Sequence, residues 1–184
     1  LEIKRKYMFS SSILICLTAI SLNMHNSGVI CENSALISSL SNDYDLDSSL
    51  IVAVGRVESR WTTKSKSSGN ACGIMQVLPK YTKNPKLSCK DLQNPVIGIK
   101  TGAKKLNYWI HKYGKGNKST GLCGYNAGFR CKGADKNKSG LNYAKSVLKF
   151  KRIFERKLRR QKLKYEKKNM YNYLLSLVNN LGDL

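Results

Sequence analysis

Glu58 is the residue whose type and position first indicate chemistry. It comes near the end of an apolar run over residues 50–60, in which Leu50, Val54 and Val57 recur at the spacing of a core-facing helix. A carboxylic acid at the end of a buried helix, next to a polar loop, is well placed to hold a raised pKa and to act as a general acid. The simpler interpretation of this window alone is that Glu58 marks the point where the helix meets solvent.

Short motifs recur in order after this acid, and Gln76 follows Glu58 by 18 residues. The motifs are Glu58-Ser59, Gly73-Ile74-Met75-Gln76, Tyr125-Asn126-Ala127-Gly128 and Asn142-Tyr143. Over about residues 34–148 this set resembles the soluble-type lytic transglycosylases, which carry the SLT domain and are related to goose-type lysozyme. Each motif alone is weak evidence, whereas four in order with matching spacing strongly indicate this family.

The sequence departs from the family pattern at positions beside the motifs. Ile74 replaces the usual Leu, Gly124 stands where Ala is common, and Asn70 stands where Gly is frequent. Leu78 lies where relatives often have a Met near the sugar, so that contact is expected to differ. None of these changes affects the acid.

The resemblance implies a mechanism with one acid. Glu58 is expected to protonate the glycosidic oxygen between N-acetylmuramic acid and N-acetylglucosamine, and then to act as base on the muramoyl 6-hydroxyl, giving a 1,6-anhydro product. Glycosidases usually employ two carboxylates, but Asp91 and Asp135 lie in basic polar segments and are interpreted as surface charges. Glu58 must then be protonated near neutral pH, which requires an apolar setting.

The resemblance also implies a set of substrate-binding residues. These are Ser59, Ser67, Met75, Gln76, Tyr125, Asn126 and Tyr143. Tyr143 is expected to hydrogen-bond near Glu58 and orient it. Structural roles remain open for Met75 as a core residue, for Ser59 as a cap and for Gly128 as a helix end.

The predicted fold class is mainly α, a lysozyme-like helical domain, since period-2 strand patterns are absent. Helices are predicted over residues 34–40, over 50–60 with Asp47 as N-cap, from Asn94-Pro95, and from about Leu141. Loops are predicted over residues 114–121 and 132–140. A chain of 184 residues provides one core, and the predicted catalytic domain covers residues 31–150.

The N-terminal segment is predicted to be a secretory signal or an uncleaved anchor, over residues 1–30. Lys4, Arg5 and Lys6 precede an apolar run over residues 13–22, which is shorter than a spanning helix. Export favours an oxidising compartment and local disulfides, Cys72–Cys89 and Cys123–Cys131. Cys31 is then left over or pairs elsewhere. No metal or other cofactor is expected, since the two histidines lie far apart and the cysteines lack metal-ligand spacing.

The net charge of +22 predicts attraction to polyanions. Residues 151–184 are predicted to form a basic amphipathic extension that binds an anionic membrane or a cell-wall polymer, while residues 171–181 are too short to span a bilayer. A nucleic-acid partner is not expected, because the charge is spread over loops and tail and no nucleic-acid motif is visible. The chain is expected to be a monomer in the periplasm or envelope.

The leading prediction is therefore an exported enzyme that cleaves peptidoglycan. The alternatives are a goose-type lysozyme that hydrolyses the same bond, and a cationic envelope-binding or lysis protein without enzymatic activity.

Overall fold

The computed structural model describes the backbone over residues 2–131 and 137–181, and the side chains over 11–131, 137–171 and at 175. These residues form helices and two isolated β-bridges, so the predicted mainly α class is confirmed. The α-helices are α1 Glu2–Ser21, α2 Ser27–Glu32, α3 Ser34–Asp43, α4 Ser48–Ser59, α5 Cys89–Leu92, α6 Pro95–Asn107, α7 Lys118–Ala127 and α8 Lys138–Leu181. Short 3-10 turns cover Pro79–Tyr81 and Gly128–Cys131, and a π-helical turn covers Tyr108–Tyr113.

Helix α4 is the central element of the core. Its residues 49–55 are all buried, and it packs against α3 and α8. Arg60 and Trp61 adopt positive φ angles of 54° and 64°, which ends the helix directly after its last turn. The Trp61 indole is fully buried and donates to the Val52 carbonyl at 3.1 Å. The buried Trp61 and its hydrogen bond hold the C-terminal end of α4 in place, and with it Glu58.

The loop after α4 is tied down by local pairing. The backbone of Cys72 forms isolated antiparallel β-bridges with Lys66 and with Val77. A disulfide joins the Cys72 side chain to Cys89. Gly73 has φ +73°, and a Cβ there would lie 2.0 Å from the Leu92 carbonyl oxygen. A side chain at position 73 would clash with this oxygen, so only glycine allows the loop to pack this closely against Leu92.

Two predicted loops are too long, because helices α7 and α8 begin inside them. The predicted loop over residues 114–121 is wrong in its second half, because the Asn117 side chain accepts from the Thr120 amide at 3.0 Å and α7 begins at Lys118. In the predicted loop over 132–140, α8 begins at Lys138, with Asn137 accepting from the Gly140 amide at 2.7 Å. Residues 132–136, including the predicted surface charge Asp135, lie outside the described residues.

Asp47 precedes α4 as predicted, but its side chain makes no capping hydrogen bond. Its carboxylate instead forms ion pairs with Lys118 at 3.0 Å and Lys151 at 3.1 Å, which joins the starts of α4 and α7 to α8. Burial opposes the charge, yet the two lysines hold the pKa of Asp47 below its ordinary value. The residue therefore connects three helices through charge rather than through a cap.

The N-terminal helix packs against the domain. Ile15 and Ala19 are buried in the core, α1 contacts α2, α3 and α8, and a disulfide joins Cys16 to Cys31. The signal or anchor role of residues 1–30 stays a prediction. Among the described residues, no helix has the length and apolar character needed to span a membrane.

Helix α8 runs without a break across the predicted domain boundary at residue 150. Phe154 is fully buried and Lys151 is 8% exposed, so the packed part of the helix extends beyond Phe150. Leu158 still packs against the core. From residue 162 to 171 every side chain is exposed.

Candidate functional site

Glu58 and Tyr143 form the centre of the candidate site. The Tyr143 hydroxyl donates to Glu58 Oε1 at 2.7 Å, although the two residues are 85 positions apart in the chain. Glu58 lies in the last turn of α4 and Tyr143 in the second turn of α8, which pack together. The hydrogen bond leaves one carboxyl oxygen of Glu58 for another partner, and both side chains are only partly buried.

Burial raises the pKa of Glu58 to about 7, against an ordinary 4.5, and the hydrogen bond from Tyr143 offsets part of this rise. Desolvation disfavours the charged carboxylate, whereas a hydroxyl donor favours it. No second carboxylate of the described residues contributes to this pKa. An acid with a pKa near 7 exchanges its proton readily near neutral pH, as a general acid and base must.

Tyr125 is directed to the same region from α7. Its hydroxyl donates to the Met75 carbonyl at 2.8 Å, which joins α7 to the loop after α4. Burial raises the pKa of Tyr125 well above its ordinary value, and the charge of Glu58 raises it further. The same two causes, burial first, raise the pKa of Tyr143. Both phenols are therefore neutral hydrogen-bond donors around Glu58.

Met75 is fully buried, so it acts as a core residue beside the site. Its side chain lies against α6, where a Cβ on Gly102 would come within 2.3 Å of Met75 Cβ. Gly102 was not singled out from the sequence. The available signal was a glycine inside the amphipathic α6 helix, where close packing is a common reason for its presence.

Hydrogen bonds of three predicted binding residues are directed into the loop itself. The Ser59 hydroxyl donates to the Ile74 carbonyl at 2.9 Å, and Gln76 Nε2 donates to the Gly73 carbonyl at 2.9 Å. Ser67 Oγ accepts from the Ala71 amide at 3.0 Å. These bonds shape the loop that carries Met75 and Gln76.

Asn126 is exposed at the C-terminal end of α7 and adjoins Tyr125. This exposure makes the Asn126 amide accessible to solvent. The α7 end is held by the Cys123–Cys131 disulfide. Both local disulfides expected from the sequence, Cys123–Cys131 and Cys72–Cys89, are present, each beside a motif.

Asp91 has a structural role. Its carboxylate accepts from the Ser88 amide at 2.8 Å, while the Ser88 hydroxyl accepts from the Asp91 amide, which together form a capping box at α5. In the described part of the chain there is no cluster of three or more His, Cys, Asp or Glu residues that would hold a metal ion.

Two comparisons with known proteins concern the family and the fold of this chain. The sequence model of the family described as "Transglycosylase SLT domain" matches residues 35–147. The fold is similar to the X-ray structure of an inactive Glu-to-Gln mutant of the lytic transglycosylase Slt from Pseudomonas aeruginosa, with a TM-score of 0.59 and 20% sequence identity. That similarity covers 79% of this chain and 30% of the Slt chain, so this chain spans less than a third of its relative.

Proposed function

The chain belongs to the transglycosylase SLT domain family, and from this we propose that it is a lytic transglycosylase of peptidoglycan with Glu58 as its single acid and base. The bond cleaved is the β-1,4 bond between N-acetylmuramic acid and N-acetylglucosamine. The observation that carries the proposal is Glu58 itself: burial raises its pKa to about 7, and the Tyr143 hydroxyl donates to its Oε1 at 2.7 Å. In the Pseudomonas aeruginosa relative, a Glu-to-Gln mutant is described as inactive.

In the first step, protonated Glu58 donates its proton to the bridging glycosidic oxygen. The bond from the muramoyl anomeric carbon to that oxygen breaks, and the N-acetylglucosamine side leaves as an alcohol. The carbonyl oxygen of the substrate's own N-acetyl group stabilises the positive charge that develops on the anomeric carbon. This substitutes for the second carboxylate of a two-acid glycosidase.

In the second step, the Glu58 carboxylate removes the proton from the muramoyl 6-hydroxyl. The freed oxygen bonds to the anomeric carbon, which gives the 1,6-anhydro ring and returns Glu58 to its protonated form. No water is consumed. A pKa near 7 suits both steps, because the same group must give and recover a proton at one pH.

The surrounding residues divide into two groups in this proposal. The Asn126 amide would donate to and accept from sugar hydroxyl or N-acetyl groups, and Gln76 would accept through Oε1, because its Nε2 donates to the Gly73 and Ser65 carbonyls. Tyr143 orients Glu58, and Tyr125 holds the Met75 backbone, so it acts through the loop. Ser59, Ser67 and Met75 support the same loop from within.

Product analysis tests the reaction. Purified sacculi digested with the full chain should release muropeptides with 1,6-anhydro-muramoyl ends, identified by mass spectrometry. Reducing muramoyl ends would instead establish a goose-type hydrolase and reject the transglycosylase reaction.

The Glu58→Gln variant tests the assignment of the acid. It keeps the shape and a hydrogen-bond acceptor for Tyr143 but has no proton to donate, so turnover should fall by several orders of magnitude. Glu166→Gln, on the exposed part of α8, is the matched control and should retain activity. Lysis of cells by Glu58→Gln at the wild-type rate would favour the non-enzymatic envelope protein.

The proposed substrate also locates the site of action. Peptidoglycan lies in the cell envelope, and three disulfides within the described chain suit an oxidising compartment. We therefore propose an exported, envelope-located enzyme. The monomeric state and the absence of a nucleic-acid partner stay predictions.

A further inference from the structure

A row of exposed positive charges runs along helix α8. Lysine and arginine recur at intervals of three or four residues, which places them on one side of a helix. Each of these side chains is exposed. This basic stripe consists of Lys145, Lys149, Arg152, Arg156, Arg160, Lys164 and Lys167.

The basic stripe lies on the side of α8 opposite the core. At 100° per residue the buried positions of the helix group on one side and the stripe on the other. The buried positions are Ala144, Val147, Phe150 and Phe154. Tyr143, which donates to Glu58, belongs to the core-facing side. The stripe and the candidate site are therefore on opposite sides of the same helix.

Acidic residues of this helix lie off the stripe. Glu155 pairs with Lys151 at 3.0 Å, and Glu166 lies 3.9 Å from Lys162. Among the described residues, no lysine or arginine of the stripe forms an ion pair with a carboxylate. From residue 145 to 167 the stripe extends for roughly 33 Å at 1.5 Å per residue.

The stripe continues in line into exposed apolar residues. Tyr171 is 62% exposed and Leu175 is 42% exposed, and they follow Lys167 at intervals of four residues. A soluble polyanion offers nothing to an exposed leucine. The headgroup region of a bilayer accommodates tyrosine and leucine next to lysine and arginine, as in interfacial helices.

We propose that the basic stripe docks this protein on the surface of an anionic phospholipid bilayer. Lysine and arginine of the stripe contact headgroup phosphates, and Tyr171 and Leu175 enter the boundary of the acyl region. Because Glu58 lies beyond the opposite side of α8, docking leaves the candidate site directed away from the lipid. This function is additional to glycan cleavage and does not depend on it.

Vesicle sedimentation with the full chain tests the docking. Vesicles of phosphatidylglycerol and phosphatidylcholine in equal parts should bind the protein, and vesicles of phosphatidylcholine alone should not. Each basic residue near an anionic surface contributes on the order of 1 kcal/mol, so removing two stripe charges should weaken binding roughly thirty-fold. The stripe variant is Arg160→Gln with Lys164→Gln.

The matched control is Lys162→Gln with Lys168→Gln, which removes the same charge from exposed positions that lie more than about 100° around the helix from the middle of the stripe. It should weaken binding by less than about five-fold, the effect of one contacting charge. Equal losses in both variants would reject the stripe, because total charge alone would then explain binding. Circular dichroism checks that both variants keep their helix content.

A third variant and a competing ligand distinguish a lipid bilayer from a soluble polyanion as the partner of the stripe. Leu175→Ser should reduce the binding that persists at high salt, where charge attraction is screened. Stronger binding to soluble polyphosphate than to the anionic vesicles would overturn the bilayer assignment. So would vesicle binding that Leu175→Ser leaves unchanged at high salt.

Discussion

Glu58→Gln should make the folded protein more stable at alkaline pH while removing its proposed activity. Burial raises the pKa of Glu58 from an ordinary 4.5 to about 7. Between these two pH values the folded chain holds a proton that the unfolded chain releases, so the free energy of unfolding falls as the pH rises. Above pH 7 the Glu58 carboxylate is charged in the folded protein as well, so its full desolvation free energy lowers the stability of the fold. A neutral glutamine avoids that cost.

The magnitude follows from the size of the pKa rise. One pH unit corresponds to about 1.4 kcal/mol, so a rise from 4.5 to about 7 costs the charged form about 3 kcal/mol. The stability difference between Glu58→Gln and the wild type should therefore increase by about 3 kcal/mol between pH 4 and pH 8.5. In thermal unfolding, the difference in Tm between the two proteins should therefore grow by on the order of 10 °C over this pH range for a chain of this size.

The assay is urea unfolding of both proteins with disulfides intact, followed by circular dichroism across that pH range. Comparing two variants cancels every other titrating group that they share. A constant offset between them is expected from the change of side chain, so only the pH-dependent part is diagnostic. Parallel stability curves from pH 4 to pH 8.5 would refute a raised pKa, and with it the basis for Glu58 as a neutral-pH acid.

Two further predictions concern the contacts around this acid. Tyr143→Phe removes the donor that favours the Glu58 carboxylate, so the alkaline limb of the pH profile of kcat/KM on soluble glycan fragments should move up by about one pH unit; an unmoved or lowered limb would contradict this. Gly102→Ala places a Cβ 2.3 Å from Met75 Cβ and should lower the free energy of unfolding by about 1–3 kcal/mol. Gly28→Ala, with no atom within 4 Å of its Cβ, is the control for urea unfolding and should change stability far less.

The parts of the fold that could be predicted from the sequence depend on short local patterns. Asn94-Pro95 predicts a helix start because the cap and the proline act within one turn, and Asn94 accepts from both the Val96 and Ile97 amides. The family resemblance was found in short motifs whose order and spacing are properties of the chain, and the family match confirms it. The start of α7 is at Lys118, inside the predicted loop over residues 114–121, because the Asn117 side chain caps the helix there.

Contacts between distant segments required the tertiary structure. The hydrogen bond from Tyr143 to Glu58 joins residues 85 positions apart, and only the packing of α8 on α4 brings them within 2.7 Å. The same packing sets the burial that raises the pKa of Glu58, a quantity that depends on surrounding volume rather than on neighbouring residues. The Cys16–Cys31 disulfide likewise depends on α1 meeting α2. The sequence thus predicted Glu58 as the acid, whereas the packing of the helices around it raises the pKa of that carboxyl group to about 7.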